Sequence, residues 1–178
     1  MTPPRFPLRR GAFRAASELA VNVTMAVAAV AASVFLIHRL VTEPAPRQAP
    51  SVVYDQSEQL PQGLPSSVFE SQRVALLHVR STCVYCTESM AFYRTLAKQR
   101  APGTKVVVVG EESEDILTDY LEKHGLKADQ LVRIEPGYFR NSTTPLVVVT
   151  DSGRTVLGSW LGMLDQKREQ EVLRLISQ

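Results

Sequence analysis

Cysteine is scarce in this chain: 178 residues contain two. That excludes a scaffold held by several disulfides and a four-cysteine zinc site. An excess of one charge is also missing, since 20 basic residues face 18 acidic ones, for a net +2. The balance is uneven along the chain. Residues 1–50 hold six arginines and two acids, whereas residues 51–178 hold 14 basic and 16 acidic residues, net −2. A body without basic excess excludes a nucleic-acid-binding domain built on phosphate contacts. Internal repeats are absent, and the one biased tract is proline-rich. What is present suffices for a packed core: 44% hydrophobic residues exclude a wholly disordered chain, and the length fits one domain with an appendage.

Leu19–Ile37, LAVNVTMAVAAVAASVFLI, runs 19 residues without a charge. As a helix it would be roughly 28 Å long, against a hydrocarbon core of about 30 Å. Arg5, Arg9, Arg10 and Arg14 precede it, and Arg39 and Arg47 follow it. That asymmetry predicts a cytoplasmic N-terminal tail and an exported body. A cleaved signal peptide has an apolar region of about 7–15 residues ending at a small-x-small site. Here the run is longer and ends in His38-Arg39-Leu40-Val41. The expectation is therefore a basic cytoplasmic tail over 1–18 and a single-pass anchor over 19–41. The anchor would lie in an inner membrane, with the body on the periplasmic or extracytoplasmic side. Residues 42–66 contain Pro44, Pro46, Pro50, Pro61 and Pro65. They are expected to form a spacer reaching about 25–30 Å if flexible.

From residue 67 to 178 the pattern is that of an α/β domain. Val74–Val79 and Lys105–Val109 read as buried strands, Leu131–Ile134 as a short one. Cys86–Gln99, Ser113–His124 and Asp165–Ser177 carry apolar residues at helical spacing. Leu146–Thr150 and Thr155–Gly158 flank Asp151-Ser152-Gly153-Arg154, a hairpin turn signal. The order β-α-β-α-β, then a hairpin, then α, predicts parallel strands with right-handed crossovers and a mixed sheet flanked by helices.

Both cysteines fall in one motif, Cys83-Val84-Tyr85-Cys86, at a predicted strand–helix junction. Unpaired N–H groups in a first helical turn favour a thiolate on Cys83. The spacing lets Cys86 reach back to close a disulfide. In an oxidising space such a pair can cycle between dithiol and disulfide. Cys83 is expected to exchange with a partner's sulfur and Cys86 to resolve the mixed disulfide. Val84 and Tyr85 border the partner and tune the thiolate. No cofactor is required, since the electrons reside on the two sulfurs. Two other readings compete. The pair forms half of a metal site, completed by His78 or His124, or it is a structural disulfide closing a loop too short to gain much.

Strand, C-x-x-C, helix, strand, helix, then Thr144-Pro145 leading into a hairpin and a last helix resembles the thioredoxin fold. With its anchor, the chain is similar to the membrane-anchored TlpA-like thiol–disulfide oxidoreductases, over roughly residues 67–178. Cys83, Cys86, Pro145 and the Gly153 hairpin carry the resemblance, with Met90 and Gly162 as weaker matches. It implies a cis bond at Thr144-Pro145, with both residues bordering the partner groove. It also implies exported protein thiols or disulfides as partners and an upstream redox partner; no metal is expected, since nothing in the sequence places His78 or His124 with the pair. The pattern departs in places. Thr82 stands where the family has Trp, and Ser89 and Ala91 where it has Glu and Pro. Leu77 stands where thioredoxins keep a buried acid. These departures motivate a non-catalytic interaction module as the alternative, beside a thiol-based metal chaperone. No peroxiredoxin-type motif surrounds Cys83. His78 is expected to be a structural histidine facing away from the pair, and Trp160 to pack in the core or hairpin. Glu111-Glu112-Ser113-Glu114-Asp115 reads as a solvated helix start. Asn141-Ser142-Thr143 matches a glycosylation sequon.

Overall fold

The computed structural model describes residues 53–178, together with Met25 and residues 29–35. Met25 and residues 29–35 are helical and exposed. Among the described residues no helix is long and apolar enough to cross a membrane. The rest of the expected anchor, the tail over 1–18 and the spacer up to residue 52 lie outside the described residues.

The body is built on a five-stranded sheet. The strands are β1 (Arg73–His78), β2 (Thr104–Gly110), β3 (Gln130–Arg133), β4 (Leu146–Asp151) and β5 (Val156–Leu161). Their order across the sheet is β3-β2-β1-β4-β5. β1, β2 and β3 run parallel, and β4 and β5 pair antiparallel. The sheet is therefore mixed, as the element order predicts.

Four helices accompany it: α1 (Val84–Glu88), α2 (Met90–Gln99), α3 (Glu114–Lys123) and α4 (Gln166–Ile176). The single helix expected from Cys86 to Gln99 is thus two, meeting at Ser89. The side chains explain the break. Ser89 Oγ donates to the Tyr85 carbonyl at 2.8 Å and Thr87 Oγ1 to the Cys83 carbonyl at 3.4 Å. Such back-bonding to carbonyls four residues earlier bends helices. At the start of α4, the Asp165 carboxylate accepts from the Arg168 N–H at 2.9 Å, an ordinary N-cap.

Alternation along the strands divides the core in two. Ala75, Leu77, Val79, Val106, Val108, Val147 and Val149 pack with the buried residues of all four helices. Val74, Leu76, Val107, Val109, Leu146 and Val148 line the other face. No helix among α1–α4 covers that second face. It is closed by Tyr54, Leu60, Leu64, Val68, Phe69, Ile134 and Phe139, from a leading segment with one 3-10 turn at Ser66–Phe69 and from the loop after β3. The helices flank the sheet on one side only.

The leading segment corrects the extent of the folded body. Residues 53–66, expected in the spacer, are pinned to the hairpin. Tyr54 N–H donates to Ser159 Oγ at 2.8 Å, Ser57 N–H to the Val156 carbonyl at 2.9 Å and Leu60 N–H to the Arg154 carbonyl at 3.0 Å. The prolines prevent regular structure there without preventing packing, and the apolar residues between them fill the face the helices leave bare.

Candidate redox site

The site forms where β1 ends beside the start of β4. His78 pairs with Leu146, so Pro145, one residue earlier, comes level with the chain leaving β1. The Thr144–Pro145 bond is cis. The chain turns through Arg80–Thr82 and enters α1 with Cys83 as N-cap. The Cys86 N–H donates to Cys83 Sγ at 3.2 Å, and the Cys83 thiol donates to the Thr144 carbonyl at 3.5 Å. The three sequence elements singled out, Cys83, Cys86 and Thr144-Pro145, are therefore in one place.

The two sulfurs have different surroundings. Cys83 is half-buried and Cys86 is buried among Leu77, Met90 and Tyr93. Burial, followed by a hydrogen bond with Cys83, pushes the Cys86 thiol up to about 12. The Arg80 backbone and the Thr144 side chain oppose that shift. Tyr93 is buried as well. Its hydroxyl is pushed above the usual phenol range, first by burial and then by the charge of Cys86. Val84 and Tyr85 point outward, at 66% and 60% exposure. Two large apolar side chains left in water between two cysteines are free to meet a partner.

Leu77 lies in the same helix-side core as Cys86, so the position that carries an acid in thioredoxins is apolar here. His78 faces the opposite side, stacked on Phe139 at 5.0 Å between ring centroids. Both expectations for His78 hold: it is a core residue and it points away from the pair. Trp160 lies in the core, as expected.

Glu111 and Glu112 are where sequence reading missed. They do not lie on a solvated helix start. Glu111 pairs with Arg80 at 2.7 Å, and Glu112 accepts from both the Ser81 N–H at 2.7 Å and Ser81 Oγ at 2.6 Å. Together they clamp the loop that presents Cys83. The register was the available signal: His78 opposite Val109 puts the residues leaving β1 beside those leaving β2. Tyr120 was also missed. Its hydroxyl meets Thr87 Oγ1 at 3.2 Å and ties α3 to α1.

Among the described residues, no group of three His, Cys, Asp or Glu side chains is arranged to hold a metal ion. Chemically, the arrangement offers a half-buried sulfur that receives an N–H, a second, buried sulfur, and a backbone carbonyl beside the first.

No protein-family model matches the sequence, and neither does any curated protein. Solved structures do match. A secreted thiol-disulfide isomerase from Corynebacterium glutamicum is similar with TM-score 0.57 and 19% identity, covering 76% of this chain and 96% of that one. The thioredoxin domain of a thiol-disulfide oxidoreductase from Bacteroides vulgatus gives TM-score 0.51 and 13% identity, over 72% and 97%. A DsbF homologue from Corynebacterium diphtheriae gives 0.52 and 15%, over 71% and 87%. The chain shares the thioredoxin-like fold of these proteins.

Proposed function

We propose that the chain is a membrane-tethered thiol–disulfide oxidoreductase acting on exported proteins. The observation that carries this reading is the contrast within the pair: Cys83 half-buried and receiving an N–H, Cys86 buried behind it, and the Thr144 carbonyl beside Cys83. In the reducing direction the Cys83 thiolate attacks one sulfur of a partner's disulfide. The partner's other sulfur leaves as a thiolate with the electron pair. Cys86, losing its proton, then attacks Cys83 Sγ and releases the partner's second thiol. The partner gains two electrons and the Cys83–Cys86 disulfide closes. The oxidising direction is the reverse, and an upstream partner resets the pair either way. Burial makes Cys86 hold its proton, and the departing partner thiolate is the base generated in the step.

Val84, Tyr85, Thr144 and Pro145 would border the bound segment. Residues 19–41 would anchor the chain in the inner membrane with the body on the periplasmic side, on the strength of the charge-free run and its basic flank.

Wild type is expected to reduce insulin disulfides with dithiothreitol as electron source, while Cys83→Ser has none of this activity. Cys86→Ser is expected to accumulate a mixed disulfide through Cys83. Equal activity of Cys83→Ser and wild type would sink the redox reading. For the tether, the chain is expected in the membrane fraction after alkaline washing, with its body digested by protease added outside spheroplasts. A chain recovered with the soluble proteins would remove the anchor from the proposal.

One observation favours a second reading, a binding module of the same fold. Leu77, apolar and in the same core as Cys86, stands where thioredoxins keep a buried acid. That reading predicts partner binding by a chain carrying both Cys83→Ser and Cys86→Ser, and no turnover by wild type.

A further inference from the structure

In the folded body the exposed large apolar side chains are Val84, Tyr85 and Ile116. Two lie between the cysteines and the third lies on α3, and three contacts bring these elements together. Glu111 holds Arg80, Glu112 holds Ser81, and the Tyr120 hydroxyl meets Thr87. Ile116 is one turn before Tyr120 and so shares its helix face. Tyr120 is buried and Ile116 exposed, so Ile116 lies at the solvent edge of the helix that these contacts tie to the cysteine loop. The exposed apolar side chains of the body thus lie on two elements held together by these contacts, the C-x-x-C turn and the start of α3.

These elements are acidic. Residues 80–89 and 111–120 contain one base, Arg80, against Glu88, Glu111, Glu112, Glu114, Asp115 and Asp119, net −5. The body over residues 51–178 is only −2. The remainder of the body is thus +3, and the negative charge is gathered in the cysteine loop, α1 and the first part of α3. Glu111 and Glu112 are engaged by the loop, whereas Glu88, Glu114, Asp115 and Asp119 are exposed. Exposed carboxylates around an apolar patch attract a cationic partner and repel an anionic one before contact is made.

We propose that this surface selects, as exchange partner, a polypeptide segment whose cysteine is flanked by an apolar side chain and by lysine or arginine. The apolar side chain covers Val84, Tyr85 and Ile116, and the cationic ones meet the carboxylates of α3. The inference rests on the proposed thiol–disulfide exchange and adds the class of substrate.

Three synthetic peptides test it, each with one cysteine next to leucine and joined in a mixed disulfide to 2-nitro-5-thiobenzoate. The flanking residues are lysines, glutamines or glutamates. The full chain, reduced and purified in a neutral detergent, supplies two electrons. Cys83 Sγ bonds to the peptide sulfur and nitrothiobenzoate leaves as a coloured thiolate. Cys86 then displaces the peptide thiol, closing the Cys83–Cys86 disulfide. Rates are divided by those of dithiothreitol on the same peptides, which removes intrinsic reactivity.

The lysine peptide is expected to react roughly tenfold faster than the glutamate peptide at low salt, with the ratio approaching one at about 0.5 M salt. In a variant with Glu114→Gln, Asp115→Asn and Asp119→Asn the ratio is expected to collapse. Ile116→Ser is expected to slow the leucine peptides several-fold and leave a glycine analogue unchanged. Hydroxyethyl disulfide, small and neutral, is expected to react equally with all forms of the protein, which checks that they fold. Exchange without charge preference, or with a preference that survives the triple substitution, overturns this inference and leaves the proposed function standing. Rates that fall for every peptide as protein concentration rises would mean that a second copy covers the patch, and would also overturn it. Exchange with none of the disulfides overturns the proposed function and the inference with it.

Discussion

His78 is one percent exposed and neither ring nitrogen has a hydrogen-bond partner among the described residues. A buried polar group without a partner costs stability, and a buried charge costs more. Burial therefore lowers its pKa from 6.5 to about 4. Glu111 raises it and Arg80 lowers it, both more weakly. The sign follows from linkage. Between pH 6.5 and 4 the unfolded chain binds a proton at this position that the folded chain refuses, so stability falls as pH falls through that window. Above pH 6.5 both states are neutral and the residue gives no slope. The full effect is about 3 kcal/mol. Urea midpoints at pH 7 and pH 4.5 check this, and His78→Leu is expected to flatten the difference while keeping Phe139 packed. A slope unchanged in His78→Leu would assign the acid sensitivity to other groups. The side His78 faces was legible in the sequence, because strand alternation sets it opposite Leu77. Its lack of a partner was not, since that depends on Phe139, which comes from a loop 61 residues later.

The hairpin shows what an element can and cannot reveal before it is folded. Asp151-Ser152-Gly153-Arg154 announces a turn, and β4 and β5 follow as expected. The left-handed backbone nevertheless falls on Arg154, at φ 65°, and not on Gly153. The Arg154 guanidinium lies over the Phe69 ring at 4.8 Å, a contact with the leading segment that no local pattern contains. The register also shifts between Val149 and Thr150. Gly158 on β5 has a local reason that becomes visible only in three dimensions. A Cβ there would come within 2.4 Å of the Trp160 ring. Trp160 cannot retreat freely, because it packs in the helix-side core. Gly158→Ala is therefore expected to cost about 1–3 kcal/mol by forcing the indole off its packing. As Trp160 is the single tryptophan, intrinsic fluorescence reports it directly. A shifted emission maximum in the folded variant is expected together with a lower urea midpoint. An unchanged midpoint would show that the ring yields at no cost. The two helices after Cys83 divide in the same way. Their apolar spacing was readable, but the break at Ser89 was set by hydroxyls that choose a carbonyl.

At the scale of the whole molecule, the question is where folding stability begins along the chain. The sequence divides at residue 67, where regular periodicity starts. The packing divides earlier. Tyr54, Leu60 and Leu64 are 2%, 4% and 4% exposed and lie against the sheet face that no helix covers. Burying each is worth about 1.5–3 kcal/mol. Together that is comparable with the roughly 5–15 kcal/mol that separates a folded domain from its unfolded chain. Their loss would also uncover Leu76, Val107 and Val148, all fully buried, and leave the Ser159 hydroxyl without the backbone groups of Tyr54 that it bonds. A fragment starting at residue 53 is expected to unfold cooperatively, with a midpoint matching the body of the full chain. A fragment starting at residue 67 is expected to be mostly unfolded, or to bind a hydrophobic dye as a loosely packed state. Circular dichroism during urea titration distinguishes them, and equal midpoints would show that the leading segment only decorates the sheet. The same face also supports the redox site. β1 and β4, whose ends carry the Cys83 loop and Pro145, contribute Leu76 and Val148 to that same face. A fragment that lacks residues 53–66 is therefore expected to lose the alignment of Cys83 with Thr144 as it loses stability, even though every residue of the site is still in it.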